Sequence, residues 1–202
     1  MAILALACFV LYFALAFGAR TVLQIRRTGS SGFHGISGRP GSAEWTGGVL
    51  FVVAIALGAA APVCDLAGAM DPIGPLDGTG AHVAGVVLFV AGLILTLVAQ
   101  VAMGRSWRIG VDREERTELV TEGPFATVRN PIFSGMIPTS VGLALMVPNV
   151  VAVAAVLALA AALEIQTRLV EEPYLLDAHG ERYAAYAARV GRFFPGTGRL
   201  SA

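Results

Sequence analysis

Apolar residues in this chain come in long unbroken runs rather than in the alternating or one-faced patterns of water-soluble elements. Residues 2–18 and 83–103 carry no charged side chain, residues 47–66 carry only Asp65, and residues 132–165 carry only Glu164. A helix needs about 20 apolar residues to cross the hydrocarbon core of a bilayer, so each of the first three runs predicts one span. The fourth is nearly twice as long and is interrupted by Val147-Pro148-Asn149. Proline has no backbone N–H and asparagine favours turns, which predicts two helices joined by a tight turn. The expected architecture is all-α: five transmembrane helices with a helical cap at the C-terminal end. A signal peptide opens with positive charge and closes on small residues at a cleavage site. The first run has no charged side chain before Arg20 and is apolar throughout, so a retained helix is expected there.

Composition agrees. The 202 residues are 56% hydrophobic and 14% charged, and the mean hydropathy of +0.73 is too apolar for a soluble domain of this size. All 14 basic residues are arginine. Four lie between residues 20 and 39, five between 105 and 129, and five between 168 and 199, while the loop carrying Asp65, Asp71 and Asp77 has none. The positive-inside rule then places the first and third loops and the tail in the cytoplasm, with the N-terminus outside. A net charge of zero argues against nucleic acid as a partner. Cys8 and Cys64 fall within expected spans, so neither a disulfide framework nor a metal site is legible, and both read as small buried residues. The chain divides into residues 1–103, three spans with a Gly/Ser-rich cytoplasmic loop, and residues 104–202, which hold two polar blocks and the hairpin between them.

The loop over residues 28–48, with Phe33, His34 and Trp45, reads as a mobile or interfacial connector. His34 reads as a surface histidine, and His82 opens the third span on the uncharged side. Small residues at helical spacing, Gly85 with Gly92 and Ala152 with Ala155 and Ala158, suit close packing of helices in lipid. The last span is expected to run on into the cytoplasm past Glu164 and Arg168. Pro173 fits the first turn of a new segment, with Glu171 and Glu172 near its start. After a C-cap at His179-Gly180, Tyr183, Tyr186 and Val190 share one face of an amphipathic helix, with Arg182, Arg189 and Arg192 nearby.

The two polar blocks flank the hairpin and therefore return to the same side of the membrane. Arg129-Asn130-Pro131 lies where a loop enters a span, after a turn at Gly123-Pro124. Glu171-Glu172 supplies two carboxylates, which repel one another unless a cation or water intervenes. On charge alone a solvated surface run, paired with Arg168 along the helix, is the simpler reading.

The wording of the blocks adds to this. GRSW at 104–107, LVTEGPF at 119–125, RNPIFSG at 129–135 and EEPYLLDAHGERYAAYAARVGRFFP at 171–195 follow one another in an order and spacing that resembles the isoprenylcysteine carboxyl methyltransferase family, membrane enzymes related to the phospholipid methyltransferases. The resemblance covers residues 104–195. It implies S-adenosylmethionine as cofactor, bound on the cytoplasmic side. Carried over by position, Leu119, Val120 and Gly123 frame the cofactor through their backbone, with Phe125 beside them. Arg129, Asn130 and Pro131 line the pocket, Glu171 and Glu172 face the cofactor's cationic end, and Tyr183 and Tyr186 close the cytoplasmic cover. The sequence departs from the family at Thr117, where many relatives have His, and at Phe125 and Phe133, where Tyr is common. The donor is thereby more firmly implied than the acceptor, whose reacting atom is left open among O, N and S.

Methyl transfer to a carboxylate or thiolate needs no general base, so positioning is expected to carry the rate. Arg129 is the catalytic candidate, orienting an anionic acceptor by a two-pronged contact. The expected partner is a lipophilic small molecule or lipidated substrate entering sideways from the membrane; no metal is implied. Two rival classes are a sterol-reductase-type enzyme using a nicotinamide cofactor, which usually has more spans, and a non-catalytic membrane scaffold.

Overall fold

The computed structural model describes residues 1–32, 35–104, 107 and 118–200. Phe33, His34, Arg105, Ser106 and Thr117, singled out above, lie outside the described residues. Helix α1 spans Ala2–Thr28, α2 Ala43–Leu66, α3 Thr79–Met103, α4 Pro131–Met146, α5 Val150–His179 and α6 Glu181–Arg189. Single 3-10 turns occur at Gly74–Leu76 and Gly123–Ala126. No strand forms among the described residues; Val128 and Gly191 make an isolated bridge.

Four helices, α1, α2, α3 and α5, are long and apolar enough to cross a membrane. The fold is therefore that of an integral membrane protein. Helix α4 is apolar but has only 16 residues, about 24 Å at 1.5 Å per residue, short of the roughly 30 Å hydrocarbon core. Helix α1 outruns the expected span of residues 2–18 and continues to Thr28 through a π turn at Ala14–Ala19. It can do so because two of its polar residues, Arg20 and Gln24, are buried with partners inside the molecule, while Arg26 and Arg27 beyond them are exposed. Arg20 Nη1 donates to Gln24 Oε1 at 3.1 Å and Nη2 to the Gly104 carbonyl at 2.5 Å, and its guanidinium lies 4.7 Å over the Trp107 ring.

The hairpin is tight at its turn and open along its length. The most extensive helix contacts are those of α3 with α4 and α2 with α5, well ahead of α4 with α5. Glycine explains the first pair. A Cβ on Gly85 would lie 2.7 Å from the Gly142 carbonyl oxygen, and one on Gly135 would lie 2.8 Å from that of Gly92. Two glycine pairs, antiparallel and seven residues apart on each helix, thus let the backbones touch. Gly85 and Gly92 act as the sequence pattern implied. Alanines do similar work on α5, where Ala152 and Ala155 are buried. The two helix pairs form facing walls, with α1 and its buried Tyr12 and Ala16 completing a common core that includes Phe89, Met136 and Leu159.

Asn149 ties the turn down. Fully buried, it N-caps α5 by accepting from Ala152 N at 2.9 Å and donates to the Ala61 carbonyl of α2 at 3.0 Å. The neighbouring Pro148 carbonyl accepts from Ile73 N at 2.6 Å. Asn149→Ala removes both side-chain bonds and is expected to cost about 2 kcal/mol. In detergent it should lower the thermal midpoint by about 5 °C; an unchanged midpoint would refute the role of the cap.

At its far end α5 widens into a π turn at Gln166–Glu171, and Pro173 falls in the first α-helical turn beyond it. Proline thus sits where the helical register changes within one continuous helix. Gly180, at φ +52, ends α5 and starts α6. The expected apolar face of α6 forms: Tyr183, Tyr186 and Ala187 are buried, with Leu119, Leu175, Val190 and Leu200 packed around them.

Candidate functional site

Between the two helix pairs lies a cavity of about 760 Å³, within the size range of small-molecule sites. Its polar end is built from both blocks. Of the expected site residues, Leu119, Val120, Phe125, Arg129, Asn130, Pro131, Glu171, Tyr183 and Tyr186 all border it. Gly123 and Glu172 do not. Gly123, at φ +59, opens the 3-10 turn that aims Phe125 inward.

Two expectations change here. Glu172 was expected to face a bound cation, yet the residue is buried, 5% exposed, and its carboxylate is engaged by two arginines. Arg192 grips it with a fork, Nε to Oε1 at 2.8 Å and Nη2 to Oε2 at 2.9 Å. Arg129 Nη2 donates to Oε1 at 2.6 Å. Arg168, the expected neighbour of the two glutamates, pairs instead with Glu164 at 2.9 Å on the exposed side of α5. The second change concerns Arg129 itself. Its Nη1 donates to the carbonyls of Ala187 at 2.9 Å and Val190 at 2.5 Å, and its Nη2 also donates to that of Gly198 at 3.0 Å. Each terminal nitrogen has two hydrogens, so the fork expected to clamp an anionic acceptor is fully committed to the protein. Nε is left, buried and without a hydrogen-bond partner among the described residues.

The same network pins the C-terminal stretch under the cavity. Arg129 N donates to the Gly191 carbonyl at 2.8 Å, Asn130 N to that of Arg192 at 3.1 Å, and Ser134 Oγ to that of Phe193 at 2.7 Å. Tyr186 reaches across with its hydroxyl to the Phe125 carbonyl at 2.6 Å, joining α6 to the LVTEGPF block. Burial raises both tyrosine pKa values, Tyr186 to about 12, against the opposing pull of Arg129. Both phenols therefore stay neutral donors at physiological pH. The Glu172 hydrogen bond likewise raises Arg192, holding its charge in place.

Arg129 is turned to Glu172, which it shares with Arg192, and the other charged side chains bordering the cavity among the described residues are Glu44, Glu118 and Glu171. Tyr174, Tyr183, Tyr186 and Trp107 supply aromatic surface beside them. Carboxylates and ring faces together suit a cationic ligand. The other end is apolar, walled by Phe13, Phe17, Phe51, Ile55 and Met136. It adjoins a smaller apolar chamber of about 70 Å³ that shares Phe13, Phe51, Ile55 and Met136 and continues to Ala5 and Gly58. Sequence reasoning missed Arg192 as the partner of Glu172, and missed Ile36 of the first loop and Glu44 in the first turn of α2, both of which border the cavity. It also passed over Thr96 and Gln100, although two polar residues four apart in an otherwise apolar run are a visible signal.

Comparison with known proteins follows the same lines. The sequence profile of the phospholipid methyltransferase family matches residues 81–182. The chain belongs to this family, as the motifs implied. Protein-S-isoprenylcysteine O-methyltransferase B of Arabidopsis thaliana is 34% identical over 108 residues, covering 52% of this chain and 55% of that protein. The cobalt-zinc-cadmium resistance protein CzcN of Cupriavidus metallidurans is 34% identical over 112 residues, covering 53% of this chain and 51% of its own length. The chain thus spans about half the length of these relatives. Among the described residues no group of three or more His, Cys, Asp or Glu gathers as metal ligands would. A solved eukaryotic intramembrane Ras methyltransferase, an isoprenylcysteine carboxyl methyltransferase, superposes with a TM-score of 0.60 over 95% of this chain and 64% of its own, at 22% identity. That likeness establishes a shared fold.

Proposed function

We propose that this protein is an integral membrane methyltransferase that takes its methyl group from S-adenosylmethionine and delivers it to a lipophilic acceptor, such as the carboxylate of an isoprenylcysteine-like lipid. The observation that carries the reading is the two-ended cavity: carboxylates and aromatic rings at one end, apolar wall at the other. S-adenosylmethionine has a sulfonium and an ammonium group, and the donor set of the polar end fits both. Glu171 with Glu44 and Glu118 would hold the cationic end, Tyr183 and Tyr186 would cover it, and the backbone of Leu119 and Val120 would frame it. Held there, the cofactor would supply an activated methyl, which an in-line acceptor would take as the carbon–sulfur bond gave way and left a neutral thioether.

The chain's own residues contribute position rather than proton transfer. Glu172 and Arg192 fix Arg129, and Arg129 fixes the carbonyls of Ala187, Val190 and Gly198 beneath the cavity. Residues 104–202 would then shape the donor end, and residues 1–103 most of the lipid-facing wall. The arginine distribution supports an orientation with the N-terminus outside and the polar end in the cytoplasm. Helix α4 would serve as a fifth, short span, sheltered from lipid by its glycine contact with α3.

Membranes carrying the protein, incubated with methyl-labelled S-adenosylmethionine, should yield label in the lipid phase. Absence of label, or tighter binding of NADPH than of S-adenosylhomocysteine, would overturn the reading. Glu171→Gln should weaken S-adenosylhomocysteine binding about tenfold or more, the worth of a charge-assisted hydrogen bond. Binding at full strength in that variant would remove Glu171 from the donor end.

A further inference from the structure

The apolar wall carries one polar ledge that the proposed transfer does not use. Tyr12, Thr96 and Gln100 all border the cavity. The Tyr12 hydroxyl and Thr96 Oγ1 are 3.3 Å apart. Gln100, one turn further along α3 and 3% exposed, donates its Nε2 to the Ala16 carbonyl at 2.8 Å. Ala16 lies inside the π turn of α1, a distortion that recurs at functional sites. Because the amide nitrogen is committed to a carbonyl, the orientation of the side chain is settled by chemistry. Its Oε1 is then a buried acceptor, and it has no donor among the described residues. Leaving such an oxygen unpaired costs about 1–3 kcal/mol. The neighbouring Phe13, Phe17 and Met136 cannot relieve it, and neither can a hydrocarbon tail.

We propose that Gln100 is a specificity-determining residue whose Oε1 accepts a hydrogen bond from an N–H or O–H group on the lipid acceptor. The acceptors selected are those that carry such a donor between the hydrocarbon tail and the atom to be methylated. This deepens the reading of the cavity as an acceptor site and rests on it. A carboxylate is acceptor-only, and a thioether or alkyl linker has no N–H or O–H to offer. A secondary amide or an amine fills the position.

Two probes with the same tail and the same carboxylate separate these chemistries: N-acetyl-S-farnesylcysteine, which has an amide N–H, and S-farnesyl-3-mercaptopropionate, which has none. Both are titrated into the full chain in detergent micelles, and both are offered as acceptors with S-adenosylmethionine. The unaltered chain is expected to bind the amide probe about tenfold more tightly. Gln100→Leu should shrink that ratio to about twofold or less, chiefly by weakening the amide probe, a change in selectivity that a merely structural role would not produce. Equal affinities in the unaltered chain, failure to bind either probe, or a preference retained in Gln100→Leu would each overturn the proposal. If Gln100→Leu does not fold, the ratio in the unaltered chain decides. A preference without methyl transfer sustains Gln100 and sinks the transferase reading, while transfer without a preference does the reverse.

Discussion

Glu172→Gln is expected to unfold the polar end of the molecule rather than simply to weaken a ligand. The carboxylate is shared by Arg129 and Arg192, and all three groups are buried. Removing one partner from a buried ion pair leaves an uncompensated charge and typically costs about 3–5 kcal/mol. The damage spreads because Arg129 also holds three main-chain carbonyls of the α6 and tail segments. The expected results are a thermal midpoint lower by about 10 °C in detergent and loss of S-adenosylhomocysteine binding together with it. Glu171→Gln is the contrast: its side chain borders the cavity, so binding should fall with little change in the midpoint. Equal thermal stability of the two variants would refute the division of labour between these adjacent glutamates.

The second large effect is expected at the crossing of α3 and α4. A Cβ on Gly92 would lie 2.5 Å from the Gly135 carbonyl oxygen and 2.7 Å from Thr139 N. The Thr139 hydroxyl also stands in the way, but turning it aside leaves these two backbone obstacles in place, so Gly92→Ala can be accommodated only by driving the helices apart. Overpacking usually costs about 1–3 kcal/mol, and a helix-to-helix clash with no rotamer escape belongs at or above the upper end. Because α4 begins at Pro131, directly after Arg129 and Asn130, its displacement should also reduce the methyl transfer proposed above. Gly80→Ala, on the same helix, is the control, since a Cβ there meets nothing within 4 Å outside its own stretch of helix. It should be neutral. Gly92→Ala with unaltered stability in detergent would show that the crossing is looser than described.

Much of this was legible in the linear sequence for identifiable reasons. Spans announce themselves because lipid demands long apolar runs with every backbone group satisfied within the helix. The Pro148 turn, the Gly180 cap and the buried face of Tyr183 and Tyr186 are local, and local rules read them. The motif blocks pointed to the right family because order and spacing survive where identity has fallen to about a third. What local rules could not reach is direction. Consecutive residues on a helix point about 100° apart, so Glu171 and Glu172 must face different surroundings, but nothing in the pair says which one meets the cavity. Nor could spacing reveal that the terminal nitrogens of Arg129 are consumed by carbonyls some sixty residues away.

By itself, then, the sequence determined that this is a helical membrane protein of the phospholipid methyltransferase family, with two polar blocks on one side of a hairpin. Those are properties of composition and order along the chain. Only the tertiary structure decided that the hairpin opens. The glycine pairs draw α4 onto α3 and the alanines settle α5 against α2, so the space left between them becomes the cavity. It also decided that Glu172 turns to Arg129 and Arg192 and away from the cavity, which Glu171 and Gln100 border. Both outcomes follow from which side chains and carbonyls come within hydrogen-bonding reach once the helices have packed, and that is a property of the packed molecule alone.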